Sequence, residues 1–208
     1  MVSTTKRDLI IDFDGTIVCP KQRDYVAYKQ LVENFCGTVL EIEEYWALRR
    51  SKTNLHEILA ASSIESSKHE DWIRRRFALS EDIDLIALDT LLDGVSDFLS
   101  NISKTHRLHL LSARRHKERM IEEMKRLGVF EFFSSVNVAK DKGEFLKTRT
   151  YVSPIVIGDT EVDILGGKAN GFFTVGVLTG IRDFAQLNTL GCDVILQSIT
   201  DFRPSTHE

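Results

Sequence analysis

Short apolar runs rich in isoleucine, valine and leucine recur along this chain, and stretches with helical spacing separate them. The runs lie near Asp8 to Phe13, Leu108 to Ser112, Ser135 to Val138, Ile155 to Gly158, Thr174 to Val177 and Val194 to Leu196. Between them the pattern predicts helices over Val95 to Lys104, Lys117 to Leu127, Gly143 to Thr148, Val162 to Asn170 and Phe184 to Leu190. Such alternation restricts the fold to parallel strands joined by crossover helices, because strands buried on both faces read as continuous apolar runs. Gly128 and Gly171, each just beyond a predicted helix, are placed as C-terminal stops.

One stretch breaks the alternation. From about Asp24 to Asp89 the pattern is helical, with apolar residues three and four apart in Leu40 to Leu48 and Leu55 to Leu59. Helix-only sequence between the first and second strands predicts a helical bundle inserted into an α/β core. Trp46 and Trp72 are expected in the core of that bundle, and Arg74-Arg75-Arg76 on a solvated helix face. Arg49 to Asn54 joins two of its helices, with a composition that suits either substrate contact or a plain polar connection.

Ligands of open parallel sheets bind beyond the carboxyl ends of the strands. Asp12, Ser112 and Asp159 each sit at such an end. At the first, Asp12-Phe13-Asp14-Gly15-Thr16 follows Leu9-Ile10-Ile11 directly. Two carboxylates two residues apart on a strand point to the same side. Held that close they repel and separate their pKa values unless a cation neutralises them. Gly15 allows a sharp turn, and the Thr16 hydroxyl is expected to satisfy amides that the turn exposes. The arrangement suits a Mg²⁺ site in which one aspartate attacks a phosphorus and the other handles protons. A strand ending in a polar turn uses the same residue types without any chemistry.

Further along, Leu108-His109-Leu110-Leu111 closes on the hydroxyl of Ser112, and a lysine opens Lys142-Gly143-Glu144-Phe145-Leu146. Ile155-Val156-Ile157-Gly158 then closes on Asp159, with Asp163 four residues later.

A chain of 208 residues can form one substantial core, or a core with a small accessory domain. A formal net charge of −4 provides no electrostatic footprint for nucleic acid or an anionic membrane. No apolar run approaches the roughly 20 residues that span a bilayer, and Met1 to Asp8 lacks the apolar stretch of a secretory signal. Cys19, Cys36 and Cys192 are odd in number and far apart, which argues against a disulfide framework and for a reducing cytosol. The six histidines show no metal-ligand spacing.

In order and character, Asp12-Phe13-Asp14-Gly15-Thr16, Ser112, Lys142 and Asp159 with Asp163 resemble the four motifs of the haloacid dehalogenase (HAD) superfamily, whose members are mostly phosphatases. The resemblance implies a Rossmann-like parallel α/β core over residues 1–17 and 93–208. It implies an inserted α-helical cap over residues 18–92, where one large subclass of the superfamily carries such a cap. Asp12 is then the nucleophile that forms an aspartyl-phosphate, and Asp14 the acid that protonates the leaving alcohol and later the base that activates water. Members acting on carbon–halogen or phosphonate bonds usually lack an acid at the second position, so Asp14 implies phosphate-ester hydrolysis. Ser112 and the amide of Ala113 are implied to bind a phosphoryl oxygen, although a serine here suits an ordinary helix N-cap equally. Lys142 is implied to neutralise phosphate and nucleophile, with Lys140 as its rival; Lys-Gly-Glu-x-Leu resembles the segment of phosphoserine phosphatase-like members.

Mg²⁺ is implied on Asp12, Asp159 and the backbone carbonyl of Asp14. Asp163 acts there through a coordinated water or by orienting Lys142, or is simply a first-turn acid. Arg114 follows Ser112 closely enough to touch an anionic group, or else starts a solvated helix. Arg49 and Lys52 are candidate substrate contacts from the cap. The expected activity is Mg²⁺-dependent hydrolysis of a small phosphorylated metabolite in the cytoplasm, with no nucleic-acid or membrane partner. A phosphomutase, or a non-catalytic phosphate-binding regulator, retains the same motifs.

Overall fold

The computed structural model describes residues 6–204. Residues 1–5, which contain most of the segment read above for a secretory signal, and residues 205–208 of the expected core lie outside the described residues. In chain order, β1 (Asp8–Ile11) and β2 (Val18–Cys19) precede five helices: α1 (Lys21–Asn34), α2 (Ile42–Arg50), α3 (Leu55–Ala61), α4 (His69–Leu79) and α5 (Ile83–Ile86). Then come β3 (Thr90–Leu91), α6 (Val95–Ile102), β4 (Arg107–Ser112), α7 (Lys117–Arg126), β5 (Phe133–Val138) and α8 (Lys142–Lys147). The chain continues through β6 (Ile155–Gly158), α9 (Glu161–Ala169), β7 (Phe173–Val177), α10 (Phe184–Thr189) and β8 (Val194–Leu196). Two compact units result, one formed by the chain up to Cys19 together with Thr90 onward, the other by Pro20–Asp89.

The first unit is built on a six-stranded sheet of order β5-β4-β1-β6-β7-β8. Its neighbouring strands are all parallel, with Leu9 of β1 level with Leu108 of β4 and Ile155 of β6. Alternate residues of each strand face opposite layers. Leu9, Ile11, Leu108, Leu110, Ile155 and Ile157 pack with Val95 and Leu99 of α6 and Met120 and Met124 of α7. Ile10, Leu111 and Val156 pack on the other side with Leu146 of α8. Burial on both faces is the reason these strands lack a polar alternation. Because β1 lies between β4 and β6, the carboxyl ends of three central strands converge on one edge, at a position where such sheets bind ligands.

β1 ends at Ile11 because the chain turns immediately afterwards: the amides of Ile17 and Val18 both donate to the carbonyl of Phe13, at 2.9 and 3.1 Å. The sequence pattern missed the antiparallel ribbon β2–β3, whose two-residue strands are too short to show a period. Gly128 and Gly171 follow α7 and α9 at φ +71° and +70°.

The helical unit has its own core of Tyr28, Leu31, Val32, Tyr45, Ile58, Leu59, Ile64 and Trp72. Tyr28 and Tyr45 stack with ring centroids 4.1 Å apart, and Trp72 meets Tyr28 edge-on at 6.2 Å. Trp72 is therefore a core residue, but Trp46 is only partly buried. One step around α2 turns Tyr45 inward in its place. Arg74 and Arg75 lie on the solvated face, where both pair with Asp71. Arg76 departs from that expectation: with a side chain only 14% exposed, it pairs with Asp24.

Candidate functional site

Four buried charged side chains meet beyond the carboxyl ends of β1 and β6. Asp12 lies just past β1, and its amide donates to the Ile157 carbonyl at 2.9 Å, which keeps it in the sheet's register. Asp159 follows Gly158, the last residue of β6, and Asp163 lies in the first turn of α9. Carboxylate oxygens of these three residues all lie within 4.8 Å of one another. Lys142 is the first residue of α8, whose start is set by the Asp141 side chain accepting from the Glu144 amide at 2.9 Å. Its Nζ donates to Asp12 Oδ1 at 2.5 Å and to Asp163 Oδ1 at 2.6 Å. Lys140 is exposed, so of the two rival lysines it is Lys142 that the fold carries to the carboxylates.

Both oxygens of Asp163 are engaged. Oδ1 receives Lys142, and Oδ2 receives the hydroxyl and amide of Thr160 at 2.7 and 3.2 Å, which closes a capping box on α9. Asp163 is thus placed as a support for Lys142. Asp159 differs: Oδ2 accepts from the Ile181 amide at 2.7 Å, while Oδ1 is buried with no hydrogen-bond partner among the described residues. Backbone closes around this carboxylate. A Cβ on Gly15, whose φ is +76°, would lie 2.6 Å from Asp159 Oδ2, and a Cβ on Gly180 would overlap the same group.

Electrostatically the cluster is unbalanced, with one ammonium among three buried carboxylates. Burial, then repulsion from Asp163, pushes the Asp12 carboxyl up to about 7 against the pull of Lys142. Burial, with repulsion from Asp12 and Asp163, holds Asp159 well above the usual carboxylate range. Burial works against the charge on Lys142, yet Asp12 and Asp163 outweigh it and raise the ammonium above its ordinary value. An orphaned buried oxygen beside a surplus of negative charge is what a hard divalent cation relieves, and Mg²⁺ needs few protein carboxylates. The residues present fit that ion, which the carboxylates of Asp12 and Asp159 would hold.

Asp14 faces a different partner. Arg114 Nε and Nη2 donate to its two oxygens at 2.8 and 2.7 Å. Arg114, placed by the sequence as a substrate contact or a solvated helix start, is itself buried. The turn after Asp14 is satisfied by backbone: the Gly15 amide donates to the Val18 carbonyl at 2.8 Å. Thr16 does not play the part expected of it, since its hydroxyl is buried with no hydrogen-bond partner among the described residues. Ser112, the last residue of β4, is buried and accepts from the Arg114 amide at 3.3 Å, whereas Ala113 is exposed. Ser112 is not a helix N-cap, because α7 begins at Lys117 behind His116.

Arg49 and Lys52 belong to the helical unit. There Arg49 Nε donates to Asp24 Oδ2 at 3.1 Å, and Lys52 is exposed with φ +62°. Sequence reasoning missed Thr160, Gly180, the Ile181 amide and Glu123, which pairs with Arg114. Only Thr160 left a readable signal, the Thr-x-x-Asp spacing of a capping box.

Comparison with known proteins agrees with this architecture. Residues 147–202 match the HAD-hydrolase-like family model. No curated protein matches the chain significantly in sequence. Among solved structures, a haloacid dehalogenase-like hydrolase family protein from Streptococcus pneumoniae aligns with TM-score 0.75 and 18% identity, covering 93% of this chain and 94% of its own. A predicted phosphoglycolate phosphatase from Haemophilus somnus aligns with TM-score 0.75 and 14% identity, over 96% and 97% of the two chains. A candidate β-phosphoglucomutase from Thermotoga maritima aligns with TM-score 0.65 and 19% identity, over 91% and 94%. Along nearly its whole length the chain is similar in fold to these structures, and over residues 147–202 it is similar in sequence to the HAD-hydrolase-like family.

Proposed function

We propose that this chain is a Mg²⁺-dependent phosphatase that hydrolyses a small phosphorylated metabolite in the cytoplasm. The observation that carries the reading is the buried group of Asp12, Asp159, Asp163 and Lys142 at the ligand-binding edge of the sheet, with an orphaned oxygen on Asp159. An oxygen of Asp12 attacks the phosphorus, and the bond from phosphorus to the ester oxygen breaks as the new one forms. Asp14 gives a proton to the departing oxygen. It then takes a proton from the water that displaces the phosphoryl group from Asp12. Lys142 holds Asp12 in place and shares the charge of the transferring group, and Asp163 holds Lys142. The Ser112 hydroxyl and the Ala113 amide would donate hydrogen bonds to a phosphoryl oxygen. Asp12, Asp159 and the carbonyl of Asp14 would hold Mg²⁺, which would supply further neutralisation of phosphoryl charge.

The helical unit Pro20–Asp89, inserted between β2 and β3, would act as the cap that selects the organic part of the substrate. Likeness to a candidate β-phosphoglucomutase keeps phosphoryl return to substrate as the second reading. Phosphate release from p-nitrophenyl phosphate and a panel of metabolite phosphates tests the proposal. Release that requires Mg²⁺ and is lost in Asp12→Asn supports hydrolysis. Isomerisation without net phosphate release would favour the mutase, and no turnover of any compound by folded protein would refute both.

A further inference from the structure

Arg114 is held more tightly than a substrate-binding arginine at a site mouth needs to be. It follows β4, and each of its three nitrogens is already engaged: Nε and Nη2 on the two oxygens of Asp14 at 2.8 and 2.7 Å, and Nη1 on Glu123 Oε2. Its guanidinium carbon lies 4.9 Å from the centroid of the Phe13 ring, the residue between Asp12 and Asp14. Glu123 comes from α7, is fully buried, and its Oε1 has no hydrogen-bond partner among the described residues. A buried carboxylate with one unanswered oxygen lowers stability in the middle of a helix, so this arrangement is not explained by packing alone. What it achieves is geometric. The side chain of Asp14 is 29% exposed and stands on a turn, where a lone carboxylate samples several rotamers. A planar guanidinium fork, fixed from behind by Glu123 and from below by Phe13, leaves that carboxylate one orientation.

We propose that Arg114 is a positioning residue for Asp14, braced by Glu123 and Phe13, and that its contribution to turnover passes through the orientation of that carboxylate. The inference rests on the phosphatase reading above. It separates Arg114 from the phosphate-binding group: Arg114 governs how well the acid–base residue reaches the leaving oxygen and the attacking water, and leaves substrate affinity largely alone.

A double-mutant cycle tests this, with Mg²⁺-dependent turnover of p-nitrophenyl phosphate as the readout: that leaving group departs with little protonation, so the cycle reads Asp14 as the base that activates water while residual rates stay measurable. Arg114→Ala is expected to lower kcat roughly 10–100-fold, part of the range that acid–base catalysis supplies, with KM changed less than about threefold. In an Asp14→Asn background the same substitution should change kcat less than about twofold. Arg114→Lys keeps the charge without the fork and should fall nearly as far as Arg114→Ala, whereas added guanidinium ion should restore part of the Arg114→Ala rate. If Arg114→Ala does not fold because it strands Glu123, the cycle is run in a Glu123→Gln background. An Arg114 effect that persists in full without Asp14, or that falls on KM, overturns this inference and leaves the phosphatase reading standing. Wild-type protein that turns over nothing with Mg²⁺ overturns both.

Discussion

Removing a carboxylate from the buried cluster should stabilise the metal-free protein while abolishing its response to Mg²⁺. Asp159→Asn is the informative change, because Asp159 Oδ1 has no hydrogen-bond partner among the described residues and its neighbours Asp12 and Asp163 are acidic, with carboxylate oxygens of all three within 4.8 Å. Two unit charges that far apart at an effective dielectric of about 20 repel by about 3.5 kcal/mol. Proton uptake already relieves part of this, and the asparagine amide needs a partner of its own, so a net gain of about 1–3 kcal/mol is expected at pH 8. For a chain of this length each kcal/mol moves the midpoint of thermal unfolding by about 2–4 °C.

The sign depends on pH in a definite way. Near pH 4 the folded protein keeps its proton on Asp12, and an aspartate of the unfolded chain is only about half ionised. Between the ordinary aspartate value of 3.8 and about 7 the unfolded chain releases protons that the folded state retains, so metal-free stability falls as pH rises and then levels off. The advantage of Asp159→Asn should accordingly be small near pH 4 and greatest at pH 8. Mg²⁺ at a hundred times its dissociation constant should add about 2.7 kcal/mol to the wild type and nothing to the variant. Differential scanning calorimetry with EDTA or Mg²⁺ at both pH values reads all four quantities. A variant that melts below the wild type in EDTA at pH 8, or that still responds to Mg²⁺, refutes the reading of Asp159 as a ligand held in an over-charged pocket.

Lys142→Met should act in the opposite direction, since it strands two carboxylates that its ammonium holds at 2.5 and 2.6 Å. A loss of about 3–5 kcal/mol in urea denaturation is expected, larger at pH 8 than at pH 5, together with loss of phosphate release. In the helical unit, burial opposes the charge on Asp24, but Arg76 and Arg49 hold its carboxyl below the usual range. Its stabilising effect should be complete above about pH 4 and fade as pH falls through the lower folded value. Asp24→Asn should therefore cost about 1–3 kcal/mol at pH 6 and much less at pH 2, as read by thermal unfolding followed by circular dichroism.

Much of this architecture is carried by local chemistry. Apolar runs without polar alternation identify strands buried on both faces, and a long helix-only stretch identifies a separate unit, because burial pattern and helical period are properties of adjacent residues. The places of Asp12, Ser112 and Asp159 at the strand ends could be read from sequence for the same reason, since each ends or directly follows an apolar run that becomes β1, β4 or β6. Where the reading failed, the deciding partner lies far along the chain. Trp46 was placed inward by its size, but one position of rotation on α2 decided in favour of Tyr45. Arg76 was grouped with Arg74 and Arg75 by composition, until Asp24, 52 residues away, drew it inward. Thr16 has the chemistry to satisfy amides, yet the Phe13 carbonyl reaches them first.

What the sequence determined by itself is the class of the sheet, the presence of an inserted helical unit and the residue types at the strand ends. Tertiary structure alone decided the pairings: Lys142 on Asp12 from 130 residues away, Arg114 on Asp14 from 100, and Gly180 giving Asp159 its space. Strand and helix periods arise from interactions within a few residues, and can be read as the chain runs. Which charges share a desolvated pocket depends on loop closure across the whole sheet, and no local pattern encodes it.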